Sequence, residues 1–329
     1  MTELACKCTT KRLLHLSRSA VYTVDPANVE YMLKTNFANY GKGLYLHIIL
    51  SDVLGDGIFA VDGAKWLHQR KALSSEFSSK MLRDFSSAVF KLGAVKLARV
   101  IATCDQAIDI QDLLMKSSLD SIVKILLGIK LACVEQMKKG TEKIAQEVRE
   151  VINLKDHSSV DELAASLTDE DLKKMQYLHA ALAETIRLYP AVPMDAKMCF
   201  SDDTWPDGFS IRKGDMVVYQ PYAMGRMKFL WGDDAEEFRP ERWLDKNGQF
   251  QDESPFKFTA FQAGPGQEHA YMEMKIFAAV LLGSYMFKLA DENKVVNYKT
   301  MVSLQIDGGL YLHAFPRLRN ESKTLNPML

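Results

Sequence analysis

Glu184 and Arg187 stand three residues apart in the run Glu184-Thr185-Ile186-Arg187. On a helix that spacing puts a carboxylate and a guanidinium on one face, where the two can pair. Taken alone, the spacing is also what a surface salt bridge produces. A second charged run, Glu237-Phe238-Arg239-Pro240-Glu241-Arg242-Trp243, follows, preceded by Trp231-Gly232-Asp233. Upstream, Trp66 and Arg70 are four apart and share a helix face. Read blandly, they mark an amphipathic helix with one buried Trp. Near the C-terminus the loop Phe261-Gln262-Ala263-Gly264-Pro265-Gly266 enters an amphipathic segment without contributing a titratable side chain.

These groups need elements to hold them. Asp25-Pro26 opens a helix through Leu33, with Pro at its first position. Lys65 to Phe77, most of Met81 to Ile101, and Gln111 to Leu127 read as helical. Thr168-x-x-Asp171 is a capping-box-like start for one long helix that must end before Pro190 and that carries Glu184 and Arg187. Val192-Pro193, Asp207-Gly208, Lys213-Gly214 and Asp307-Gly308-Gly309 punctuate short strand-like runs, between about Val192 and Val218 and again near the C-terminus. Gly266 to Met286 reads as a helix with one buried face of Met274, Phe277, Ala278, Leu281 and Leu282. The fold class expected is mainly α (α+β), with a small β-sheet region.

Composition narrows the function classes. At 329 residues, 47% hydrophobic and 25% charged, the chain has the make-up of a soluble globular protein. Neither repeats nor a linker divide it, so residues 1–329 are read as a single domain. A net charge of −1 speaks against a nucleic-acid partner. Cys6, Cys8, Cys104, Cys133 and Cys199 are odd in number and irregularly spaced, as expected of free thiols in a reducing compartment. Cys6-x-Cys8 has no second ligand pair at zinc-type spacing. The longest apolar stretch, Ile276 to Leu282, is too short to span a bilayer, which takes ~20 residues.

In combination, E-x-x-R followed by the P-E-R-W segment resembles the cytochrome P450 family, the haem-thiolate monooxygenases. Gly55-Asp56-Gly57-Ile58-Phe59 and Asp62 to Arg70 resemble the corresponding segment of plant long-chain fatty-acid hydroxylases. The resemblance covers roughly Tyr22 to Gly128 and Glu142 to Pro316. It implies haem as cofactor, NADPH–cytochrome P450 reductase as electron-donating partner, and O₂-dependent hydroxylation of a fatty acyl or similar lipophilic small molecule. It also implies that Glu184, Arg187 and Arg242 form an ion triad on the proximal side of the haem, a clamp rather than a catalyst. Trp66 and Arg70 would hold a haem propionate, as indole and guanidinium donors can. Relatives commonly sit in the endoplasmic reticulum membrane through an N-terminal anchor that is missing here, so the expectation is either a cytosolic protein or a truncated start with location unknown.

Three departures fall on function. The family's loop continues as F-x-x-G-x-R-x-C-x-G, whose cysteine ligates iron and favours O–O cleavage. Here both the arginine and the cysteine are gone, and the four missing positions near residues 265–266 amount to up to ~13 Å of extended chain. His269 is the nearest possible substitute ligand. The central [AG]-G-x-[DE]-T helix is also absent, its faint echo being Ala183-Glu184-Thr185. Leu127-Gly128-Ile129-Lys130 passes through an unfamiliar stretch to Glu142, which reads as an internal deletion near Thr141. The resulting expectation is an incomplete cytochrome P450-like fold that binds haem weakly or not at all, with no metal ligand and no catalytic residue assigned. Two alternatives stay open: a haem-free binding or interaction protein, and a misassembled version of a complete monooxygenase.

Overall fold

The computed structural model describes residues 7–14, 19–78, 80–104, 106–122, 138–153, 159–262, 264, 266–300 and 303–317. Cys6, Cys133, Ala263, Pro265 and the 127–130 junction lie outside the described residues. The expected mainly helical architecture with small sheets is what is found. The helices are α1 (Pro26–Glu30), α2 (Gly43–Leu54), α3 (Gly63–Ser78), α4 (Lys80–Ala102), α5 (Ile110–Ile122), α6 (Lys138–Val151), α7 (Val160–Ser166), α8 (Asp169–Lys174), α9 (Gln176–Leu188) and α10 (Gln267–Ser284).

The largest sheet runs β1 (Thr10–Leu14), β2 (Ser19–Thr23), β8 (Met216–Tyr219), β5 (Asp195–Cys199) and β3 (Tyr40–Gly41) in spatial order. In the chain segment linking β5 to β8 a separate small pair forms, β6 (Asp203–Thr204) with β7 (Ser210–Ile211). β4 (Ile108–Asp109) joins β12 (Tyr311–Pro316) and β9 (Tyr285–Leu289), while β10 (Tyr298–Thr300) pairs β11 (Leu304–Ile306). The β5–β8 strands were expected from their turn residues. The N-terminal strands were not, because Thr10 to Leu14 lacks the alternation that marks a half-buried strand.

Helix starts follow local chemistry. The Asp25 carboxylate accepts from Ala27 N at 2.8 Å, with Pro26 at the first position, as expected. The chain then widens into a π-turn at Tyr31–Thr35, two residues beyond the predicted end at Leu33. The capping box at Thr168 and Asp171 forms, but it opens only the short α8. Met175, at ψ 79°, breaks the predicted long helix, and α9 starts anew. Glu147 of α6 explains how: its carboxylate accepts from Tyr177 N and Leu178 N at 2.8 Å each, supplying the cap that α9 lacks locally.

The last helix also differs from expectation. α10 ends at Ser284 and the chain becomes β9, so Met286 is in a strand. Rather than one buried face, it is enclosed on nearly every side, with residues 271–281 buried consecutively. α4, α6, α7 and α9 surround it, and a Cβ at Gly283 would meet Leu163 Cδ1 at 3.0 Å and Val148 Cγ1 at 3.4 Å. This helix carries one apolar cluster, including Phe90, Ile144, Leu163, Leu178 and Ile276. A second cluster, with Val21, Met32, Tyr40, Cys199, Trp205 and Val217, lies against the large sheet. Among the described residues no helix is long and apolar enough to cross a membrane.

Candidate functional site

α9 presents Glu184 and Arg187 on its buried face, and the turn at Pro240–Trp243 comes to meet them. Arg187 Nε donates to Glu184 Oε2 at 2.7 Å and Nη2 to Oε1 at 2.9 Å, a bidentate pair. Arg242 Nε donates to Oε1 at 2.9 Å. The three predicted residues are therefore assembled.

The backbone completes the arrangement. Arg187 Nη1 donates to the carbonyls of Gly225 and Ala235, and Nη2 to that of Glu237. Arg242 reaches the carbonyls of Trp231 and Asp234 and the Asp234 carboxylate. Position 225 needs glycine, since a Cβ there would collide with the Arg187 carbonyl. Two partners escaped the sequence reading. Trp243 Nε1 donates to Glu184 Oε2 at 2.9 Å, and the Arg239 backbone N donates to Oε1 at 2.8 Å. The Trp of P-E-R-W was the available signal, since a buried indole N–H must find an acceptor. With five hydrogen bonds accepted by its two oxygens, Glu184 is held at the centre of a clamp.

Trp66 and Arg70 are also brought together, on α3. The Arg70 guanidinium lies over the Trp66 ring at 5.8 Å, and Trp66 packs on Phe37 at 4.9 Å between ring centroids. Both are half-buried, and burial pulls the pKa of Arg70 down. Such a pair can offer N–H donors to a carboxylate.

The loop before α10 is where the family's haem thiolate would have to stand. Gln262 adopts the left-handed region (φ 52°, ψ 36°) and Gly264 N donates to Phe261 O at 2.8 Å, closing a tight turn. Phe261 packs on Tyr271 and Phe258, so the turn folds back onto aromatic side chains. The buried Cys199 belongs to β5 and the sheet-side cluster, where its Sγ donates to Ser201 O at 2.9 Å. Burial pushes that thiol up, away from the thiolate form. Cys8 and Cys104 are exposed. His269 sits buried in the first turn of α10, its pKa lowered by burial and by Arg83. Among the described residues no group of three or more His, Cys, Asp or Glu could hold a metal ion. The described residues do not fit a haem-thiolate centre.

A family model described as cytochrome P450 matches this chain in two pieces, residues 1–161 and 136–313. Cytochrome P450 704C1 of Pinus taeda is 36% identical over 463 aligned positions, which take in 97% of this chain and 89% of that protein. Cytochrome P450 704B1 of Arabidopsis thaliana is 32% identical, over 88% of this chain and 85% of its own length. Cytochrome P450 CYP94D108 of Paris polyphylla is 31% identical, over 88% and 83%. Since 463 positions are set against 329 residues, over a quarter of the first alignment has no residue of this chain opposite it.

Proposed function

This chain belongs to the cytochrome P450 family of haem-dependent monooxygenases, and from that premise we propose that it keeps the family's proximal clamp without its oxygen-activating centre. One observation carries the reading: the turn at 261–266 has no thiolate donor, and the buried Cys199 is committed to the opposite cluster. Glu184, Arg187 and Arg242 serve as a scaffold, and Trp66 with Arg70 is the remaining carboxylate-binding pair. By lineage the reaction is hydroxylation of a fatty acyl or similarly lipophilic chain, with electrons from a flavoprotein reductase. In this polypeptide that activity is lost. The chain works as a haem-free binding or interaction protein, without a bilayer-spanning element among its described helices.

The two-piece family match supports a second reading. Its pieces overlap at 136–161, a stretch that contains the apparent deletion near Thr141, and the long alignment with the pine relative supports an omitted internal block. In this reading the single domain is a shortened version of a complete monooxygenase. Sequencing transcripts across codons 141–142 and 265–266 separates the two, since a longer transcript carrying a cysteine loop supports the second. For the chain as given, incubation with haem, a reductase, NADPH and a long-chain fatty acid should yield no hydroxylated product. Turnover dependent on all four would refute the first reading.

A further inference from the structure

β3 and β5 pair antiparallel through Tyr40↔Cys199 and Gly41↔Met198. Continuing that register by one residue sets Lys42 opposite Lys197, and like charges directly opposite one another are unfavourable. Both amines turn to one carboxylate. Lys42 Nζ lies 3.5 Å from Asp195 Oδ1, and Lys197 Nζ lies 3.9 Å from Asp195 Oδ2. Asp195 and Lys197, two apart on β5, share a strand face. Tyr219 of β8, paired with Asp195 in register, donates its hydroxyl to Oδ2 at 2.9 Å. The next carboxylate, Asp62, is turned to the backbone N–H groups of Lys42 and Gly43.

Two amines thus share an anion that a phenol already engages. Their side chains are 17% and 15% exposed, drawn out of water yet not sealed from it. Burial lowers the pKa of Lys197, Lys42 lowers it further, and Asp195 and Asp62 act against the shift. Burial acts to raise Asp195, but the two lysines and Tyr219 outweigh it and hold the carboxylate low. A lysine desolvated beside a second cation is an arrangement that favours the neutral, nucleophilic amine.

The surroundings indicate what such an amine would meet. α2 starts one residue after Lys42 and packs on β5, yet it exposes Leu44 (75%), Ile48 (57%) and Ile49 (51%), with Met194 (48%) just before Asp195. We propose that Lys197, flanked by Lys42, is a carbonyl-reactive amine that captures aliphatic aldehydes as a Schiff base, the alkyl chain lying on the apolar face of α2. The neutral Nζ attacks the carbonyl carbon, forming the C–N bond as the C=O π-bond opens to a carbinolamine. A proton passes from nitrogen to oxygen by way of Asp195. The oxygen then leaves as water and C=N forms, with no oxidant or reductant required. The site is independent of haem.

The test treats the full chain with decanal and cyanoborohydride near neutral pH and maps alkylated lysines by mass spectrometry. Lys197 should be labelled several-fold faster than exposed Lys173. Lys42→Met should erase that lead while leaving the Lys173 rate unchanged, and Lys197→Arg should remove the label. Acetaldehyde, without an alkyl chain to place, should give a smaller lead. The proposal is overturned if Lys197 in the unsubstituted chain reacts no faster than Lys173. A lead that survives Lys42→Met, or that acetaldehyde reproduces in full, overturns it as well. Should a variant misfold, the ratio in the unsubstituted chain still decides.

Discussion

Glu184 and Arg187 are joined by two hydrogen bonds of 2.7 and 2.9 Å, with both side chains wholly out of water. A buried pair of this kind adds little over a well-packed apolar replacement, but removing one member strands the other charge. Glu184→Ala would leave Arg187 without a carboxylate, Arg242 with that of Asp234 alone, and Trp243 Nε1 without its acceptor. We expect a loss of about 3–5 kcal/mol in urea unfolding, against less than ~0.5 kcal/mol for exposed Lys173→Ala. Equal proteolysis rates for the two variants and the parent would mean that the triad is not assembled in solution.

The chain should be marginally stable and prone to associate. Leu44, Ile48 and Ile49 on α2 and Phe85 and Leu92 on α4 are exposed. Covering such surface is worth ~25 cal/mol per Å², and contiguous exposed apolar surface recruits partners or aggregates. Sedimentation velocity should show concentration-dependent association that Ile48→Ser weakens. A monomer at all concentrations with a sharp, cooperative thermal transition would contradict this.

Lys275 predicts a pH dependence. It lies within α10, donates to Leu172 O at 2.8 Å, and has its pKa brought by burial from 10.5 to about 8, Glu147 acting against the shift. Unfolded, the amine keeps its ordinary value, so between pH 8 and 10.5 the unfolded state holds a proton that the folded state has released. This residue's contribution to stability therefore rises with pH through that window, and its cost, on the order of 3 kcal/mol, is fully present below it. Lys275→Met should flatten the rise in urea midpoint between those limits. Parallel profiles for variant and parent would exclude Lys275 as its source.

The clamp was legible because E-x-x-R and P-E-R-W are local patterns, and the buried ends of both meet as expected. Trp66 and Arg70 share a face for the same reason of spacing. The break at Met175 was not legible, because the cap on α9 comes from Glu147, thirty residues upstream of Tyr177. Enclosure of α10 was obscured by Glu273 and Lys275, charged residues that normally mark a solvent face but are buried here. The Lys42–Asp195–Lys197 group had no sequence signal, since its members meet only through strand register.

Whether haem finds a thiolate in this chain can be measured directly. The purified chain is reconstituted with haem, reduced, and exposed to carbon monoxide, and its absorption spectrum is recorded. Loss of the cysteine loop predicts no long-wavelength Soret band of the thiolate type. That band at stoichiometric yield would contradict it.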